Sequence, residues 1–129
     1  MSEFEFLWSQ YKKAAASAAR QGNLIKATRI LKEAFRESEE YGELDEELIE
    51  LAHAFAQQHL NLSRFGEAES LYRLVLEVRE KLLGQTHDDV VESLKRVAVV
   101  QIMSFRAEAL GGKQTHGTMP WGDVLPATG

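Results

Sequence analysis

The chain has 129 residues, enough for one domain or a few repeats with a core that needs no covalent staples. It has no cysteine, which excludes disulfides, thiolate zinc sites and cysteine nucleophiles. Its formal net charge is -5 and its lysines and arginines are scattered, which argues against a nucleic-acid partner, since phosphate binding draws on clustered cations.

Much of the acidity crowds around Tyr41-Gly42, from Glu37 to Glu50. Such a cluster at a helix start reads as a solvated turn favoured by the helix dipole, with a docking patch for a basic partner as the sharper alternative. The opening MSEFEFLWSQYKK is too acidic, and too short in apolar run, for a signal peptide. No apolar stretch approaches the roughly 20 residues needed to span a bilayer. These features predict a soluble cytoplasmic protein with no membrane association.

Both prolines, Pro120 and Pro126, lie in the last ten residues, so nothing earlier forbids nearly continuous helix. Hairpin signals are absent, and Ala, Leu, Glu, Lys and Arg favour helix throughout. Five helices are predicted. The first runs from about Glu3 to Gln21, with small residues from Ala14 to Ala19 that let a second helix approach closely, and stops near Gly22. The second runs from about Leu24 to Tyr41, with Asn23 as N-cap, Gly42 as the stop, and Leu24, Ala27, Leu31, Ala34 and Phe35 at helical spacing. The third, about Asp45 to Leu62, takes Asp45 as N-cap. The fourth runs from about Phe65 to Leu83 and stops at Gly84. The fifth runs from about His87 to Ala109, with Thr86 and Asp89 at capping-box spacing. Beyond Gly111-Gly112 there is no helical period, so residues 111–129 read as a flexible tail behind a helical domain at 1–110.

The helices repeat. Gly22-Asn23-Leu24-Ile25-Lys26-Ala27, followed by Leu31 and Ala34, aligns with Ser63-Arg64-Phe65-Gly66-Glu67-Ala68, followed by Tyr72 and Val75. Ala15, Ala56 and Ala98 mark equivalent places on the first helix of each pair, 41 and 42 residues apart. A helix-pair repeat at such a period predicts an all-α solenoid of about two and a half units.

The pattern resembles the tetratricopeptide repeat over most of residues 8–110. In that family small residues on helices A and B allow close crossing, and here Ala15, Ala56 and Ala98 fill the A position and Ala27 and Ala68 the B position. The period exceeds the usual repeat of about 34 residues, and AESLYRLVLEVREKLLGQTHDDVVESLKRVAVV looks like the long repeats of kinesin light chains. It departs from them at Asp88, where a proline usually follows the histidine, and in lacking the third B helix, so a motor-adaptor role is not implied. Long repeats of this type also resemble those of bacterial scaffold proteins.

The resemblance implies a concave groove lined by the A helices. Carried over by alignment, its positions are Lys12, Ala16 and Arg20, then His53, Gln57 and Asn61, then Lys95, Val99 and Ile102. These predict a modestly basic floor with an apolar C-terminal end, suited to a peptide or helix with an acidic group and apolar anchors. Lys12 fits the first position of the family's carboxylate clamp for chaperone tails, but Ala16 replaces the required Asn, which argues against that role. The run VAVVQIM, residues 97–103, is apolar nearly all round and should be covered on every side. Val97, Val100 and Met103, with Trp121 of the tail, are therefore expected to form an assembly surface for another copy or a partner.

The chain closes on Leu125-Pro126-Ala127-Thr128-Gly129, the LPxTG pattern read by sortases. The secretory leader, apolar segment and basic residues that accompany such a signal are not in this sequence, so wall anchoring is not expected. No phosphate loop or nucleophile elbow occurs. His53 and His59, six apart, do not share a helix face for a metal; His59 is expected between helices and His53 toward the groove. The leading expectation is a non-enzymatic adaptor or scaffold without cofactor. The alternatives are a small dedicated chaperone for a secreted or assembly-prone client, and a ligand-binding or catalytic helical domain using His53, Gln57, Asn61 and Lys95.

Overall fold

The computed structural model describes residues 2–111. Five helices follow in order: α1 (Glu3–Arg20), α2 (Leu24–Tyr41), α3 (Glu46–Asn61), α4 (Phe65–Leu83) and α5 (Asp88–Gly111). No strand occurs among the described residues. The expected tail at 111–129 lies, from Gly112 on, outside the described residues, as does Trp121.

Local chemistry sets the helix ends. Ser2 caps α1 by accepting from the Glu5 N–H at 3.0 Å, Asn23 caps α2 through the Lys26 N–H at 3.1 Å, and Asp45 caps α3 through Glu47 and Leu48. At α5 the cap differs from expectation. The helix starts at Asp88, which puts His87 rather than Thr86 in the cap position, and His87 Nδ1 accepts from the Asp89 N–H at 3.0 Å.

The turns inside the two pairs are built alike. After α1, Gly22 adopts φ 79°, its N–H donates to the Ala19 carbonyl, and the Asn23 N–H donates to Ala18. Forty-one residues on, Ser63 adopts φ 59°, its N–H donates to the Leu60 carbonyl, and the Arg64 N–H donates to His59. This is the Schellman closure, which asks for a left-handed residue. The first turn uses glycine; the second puts serine in the same backbone state.

Packing follows sequence order. α1 pairs with α2, α3 with α4, and α4 carries α5, while α2 also lies against α3 and α4. The alanines at the predicted crossing positions, Ala15, Ala27, Ala56 and Ala68, are all fully buried. Around them Leu31, Phe35, Leu48, Leu71 and Val75 are sealed from solvent, each contributing roughly 1.5–3 kcal/mol by leaving water. Helices pair because each buries one apolar stripe, and the pairs stack because α2 and α4 bury a second. The result is a helical solenoid of the tetratricopeptide-repeat type.

The polar bonds between successive pairs repeat as well. Thr28 of α2 meets His59 of α3, Oγ1 to Nε2, at 2.8 Å. Their counterparts, Glu69 of α4 and Gln101 of α5, meet at 3.2 Å, the amide donating to the carboxylate. Ser38 near the end of α2 donates to the Glu43 carbonyl, and Arg79, at the same place in α4, donates to the Asp89 carbonyl at 3.2 Å. The unit is thus repeated in its interactions as well as in its helices.

Candidate functional site

The first-of-pair helices share one register. Lys12, His53 and Lys95 are equivalent, as are Ala16, Gln57 and Val99, and then Arg20, Asn61 and Met103. All nine side chains are exposed or half-exposed, so the row forms a surface running across α1, α3 and α5. Between α1 and α3 it dips into a groove of about 360 Å³ lined by Lys12, Ala16, Glu47, Glu50, Leu51 and Ala54.

The register alters two of the expected assignments. Ile102, expected in the groove row, aligns with Ala19 and Leu60 and lies on a different face of α5. Met103, expected on the assembly surface, takes its place in the groove row.

Charge differs from expectation too. Part of the expected basic floor is neutralised, because the Lys12 ammonium is paired with the Glu47 carboxylate and Glu50 lies beside it, while Arg20 and Lys95 stay exposed. His53 adds no charge near neutrality. Burial, helped by Arg96 and Arg79 and opposed by Glu92, lowers its pKa to about 4. Its ring lies 5.7 Å from that of Tyr72, half-buried rather than open to the groove. Gln57 donates to Asn61 at 3.1 Å along the exposed face of α3. The row therefore has acids beside Lys12 between α1 and α3, exposed cations at Arg20 and Lys95, neutral polar groups at Gln57 and Asn61, and exposed apolar side chains at Val99 and Met103 on α5.

The run at 97–103 is divided by the fold. Val97 and Val100 are 4% and 2% exposed, because they belong to the stripe by which α5 packs on α4. They join the core and cannot form the expected assembly surface. The side chains left outside are Val91, Leu94, Val99, Ile102, Met103 and Phe105, together with Ala98. An all-apolar helix does not reveal from sequence which of its stripes is covered.

Two features had escaped the sequence reading. Arg79 is 4% exposed, and its guanidinium reaches Glu92 at 2.9 Å and the buried Ser93 hydroxyl at 2.7 Å, tying α4 to the start of α5. Its signal was faint: it sits where Ser38 does, at a core position of a helix that otherwise keeps charges outside. The second is a groove of about 490 Å³ across α2 and α4, lined by Lys32, Arg36, Arg73 and Lys81 among others. Those cations pair with Glu67, Glu33, Glu69 and Glu39, so the groove is not an open anion site. Among the described residues no group of three or more acids and histidines is placed to hold a metal. No described helix is long and apolar enough to cross a membrane.

Helix pairs crossing at alanines, stacked through repeated polar bonds, define a helical-repeat protein. Residues 48–89, the span of α3, α4 and the turn beyond, match the family model described as tetratricopeptide repeat. Repeats of this family are in general protein-interaction modules rather than catalysts. No curated protein and no solved structure matches the chain.

Proposed function

We propose that the chain is a non-enzymatic protein-interaction module that holds a helix or peptide along its row of A helices and uses α5 for assembly. One observation carries this reading. At a single register, α1, α3 and α5 place side chains that are exposed or half-exposed, and the surface runs from Glu47 and Glu50 beside one end of the row to Val99 and Met103 at the other. A ligand with a basic residue at one end and one or two apolar anchors at the other complements that gradient, because opposite charges steer and buried apolar anchors hold.

The test is a crosslinked capture from native lysate with wild type and two variants, Ala16→Arg and Val99→Glu. Both positions are on the surface, so helicity and melting should stay within error of wild type. The reading expects a partner retained by wild type and reduced at least about tenfold by each variant, the loss of an anchor of about 1.4 kcal/mol or more. A partner retained equally by all three proteins would end the groove reading.

A further inference from the structure

The exposed stripe of α5 has counterparts elsewhere in the chain. Val91, Leu94, Ala98 and Ile102 align with Ile49, Ala52, Ala56 and Leu60 of α3 and with Trp8, Tyr11, Ala15 and Ala19 of α1. There the row is buried or half-buried, with Ala15, Ala52 and Ala56 at zero exposure, in helices that pair with α2 and α4. On α5 the same row is open, Leu94 at 56% and Ile102 at 58%, with Ala98 exposed between them. It is the seat of a second helix of the pair, and no described helix occupies it. The eighteen residues after Gly111 include Gly112, Gly117, Gly122, Pro120 and Pro126 and have no helical period.

We propose that α5 of a second copy fills this seat, antiparallel and centred on Ala98. The stripe is symmetric about that residue. Leu94 and Ile102, both exposed, lie four positions before and after it. A two-fold crossing at Ala98 sets Leu94 against Ile102 of the partner subunit. Alanine meets alanine at the crossing, as small residues mark the crossings inside each pair, and this permits an interaxial distance at the short end of the roughly 8–10 Å range. Closed two-fold pairing of this kind is the commonest oligomer symmetry.

Charge selects the direction. On a helical projection Asp88 and Arg106 both lie about 80° to one side of the Ala98 line. Two-fold antiparallel pairing therefore brings Asp88 beside Arg106 of the partner subunit at both ends of the interface. Parallel pairing would leave Asp88 without that partner, its own copy lying across the interface on the opposite side, and would align the two helix dipoles. The stripe from Val91 to Ile102 is about 17 Å long, and the flanking Val99 and Leu110 extend the apolar area.

The inference rests on the reading of α5 as an assembly surface and adds its occupant, direction and register. Because the chain has no cysteine, single cysteines report geometry directly. In full-length protein, Ala98→Cys should form a disulfide-linked dimer under mild oxidation about tenfold or more faster than Val99→Cys, which points about 100° away. Wild type should sediment at twice the mass of the chain. Leu94→Glu and Ile102→Lys should each be monomeric alone and should form a heterodimer when mixed, since the two-fold sets one against the other. A dimer whose Ala98→Cys crosslinks no faster than Val99→Cys overturns this mode. A monomer with an alkylation-protected Ile102→Cys overturns it in favour of a segment of the same chain. A monomer with a freely reacting thiol overturns it in favour of a foreign partner. The assembly reading itself fails only if, in addition, changing Leu94 and Ile102 together to Glu leaves every captured partner in place.

Discussion

The junction between the first and second helix pairs and the junction between the second pair and α5 have the same geometry and different chemistry. At the first, the contacts are neutral: Thr28 with His59, sealed from water, and the buried Ser38 hydroxyl with the partly buried Glu43 carbonyl. At the second, the matching places hold Glu69 with Gln101, at the surface, and Arg79, whose buried guanidinium spans Asp89, Glu92 and Ser93. A repeat thus conserves where the backbone needs a partner more strictly than what supplies it. The charged version appears where the next helix has only one covered face, so a single strongly tied residue can hold α5 in place.

If that contrast is right, breaking Arg79 should cost most. Arg79→Ala removes a guanidinium that makes three bonds from a buried position and leaves the buried Ser93 hydroxyl without that partner. The expected loss is about 3 kcal/mol, measured by urea unfolding, with hydrogen exchange on α5 accelerating before that on α1 and α2. Glu92→Ala should cost far less, because its carboxylate is half-exposed. Equal effects from the two variants would mean that the ion pair, rather than the buried hydrogen bonds, holds the junction.

Thr28→Val tests the neutral junction. It keeps the shape of the side chain and leaves the fully buried His59 without its partner, for an expected loss of about 1–3 kcal/mol. Gln101→Ala, at the equivalent but exposed pair, should change stability by only about 0.5 kcal/mol, since water replaces the lost bond. The two numbers together separate burial from bond count.

How far this architecture was legible depends on the range over which each signal acts. Alanines 41 and 42 residues apart fixed the pairs, and the caps at Asn23 and Asp45 fixed helix starts, because propensity and capping act within a few residues. The groove's charge was not legible. Lys12 is neutralised by Glu47, 35 positions away, and no local pattern announces such a pair. Nor was the covered face of α5: Val97 and Val100 turn inward while Val99 and Ile102 turn outward, and valine and isoleucine suit either side. Arg79 escaped because an arginine at helical spacing reads as surface until its partners are known.

Acid should act on the interior histidines. His53 is held at about 4 by burial and by Arg96 and Arg79, and burial also lowers His59. Both are neutral when folded near pH 7 and take up protons more readily when unfolded. Their stabilising contribution is therefore fully present above the unfolded value of about 6.5 and is lost as pH falls from there, for His53 down to about 4. Screening at the half-buried His53 holds its share to about 1 kcal/mol. Thermal melts between pH 7 and pH 4.5 should fall less steeply for His53→Phe than for wild type. Parallel slopes would place the acid sensitivity in the carboxylates instead.

The smallest effect should come from the turn inside the second pair, and its sign is the informative part. Ser63 stands at φ 59° where Gly22 stands at φ 79°, with the same two backbone bonds closing each helix. A left-handed conformation costs a residue with a Cβ roughly 1–2 kcal/mol, whereas glycine adopts it freely and gives back part of that gain as unfolded-chain entropy. Ser63→Gly should therefore stabilise the protein by about 0.5–1 kcal/mol, and Gly22→Ser should destabilise it by a similar amount. Chemical denaturation of both variants checks the pair. If Ser63→Gly destabilises instead, the serine has a role that its twin position in the first pair does not share, and the two turns are alike in backbone only.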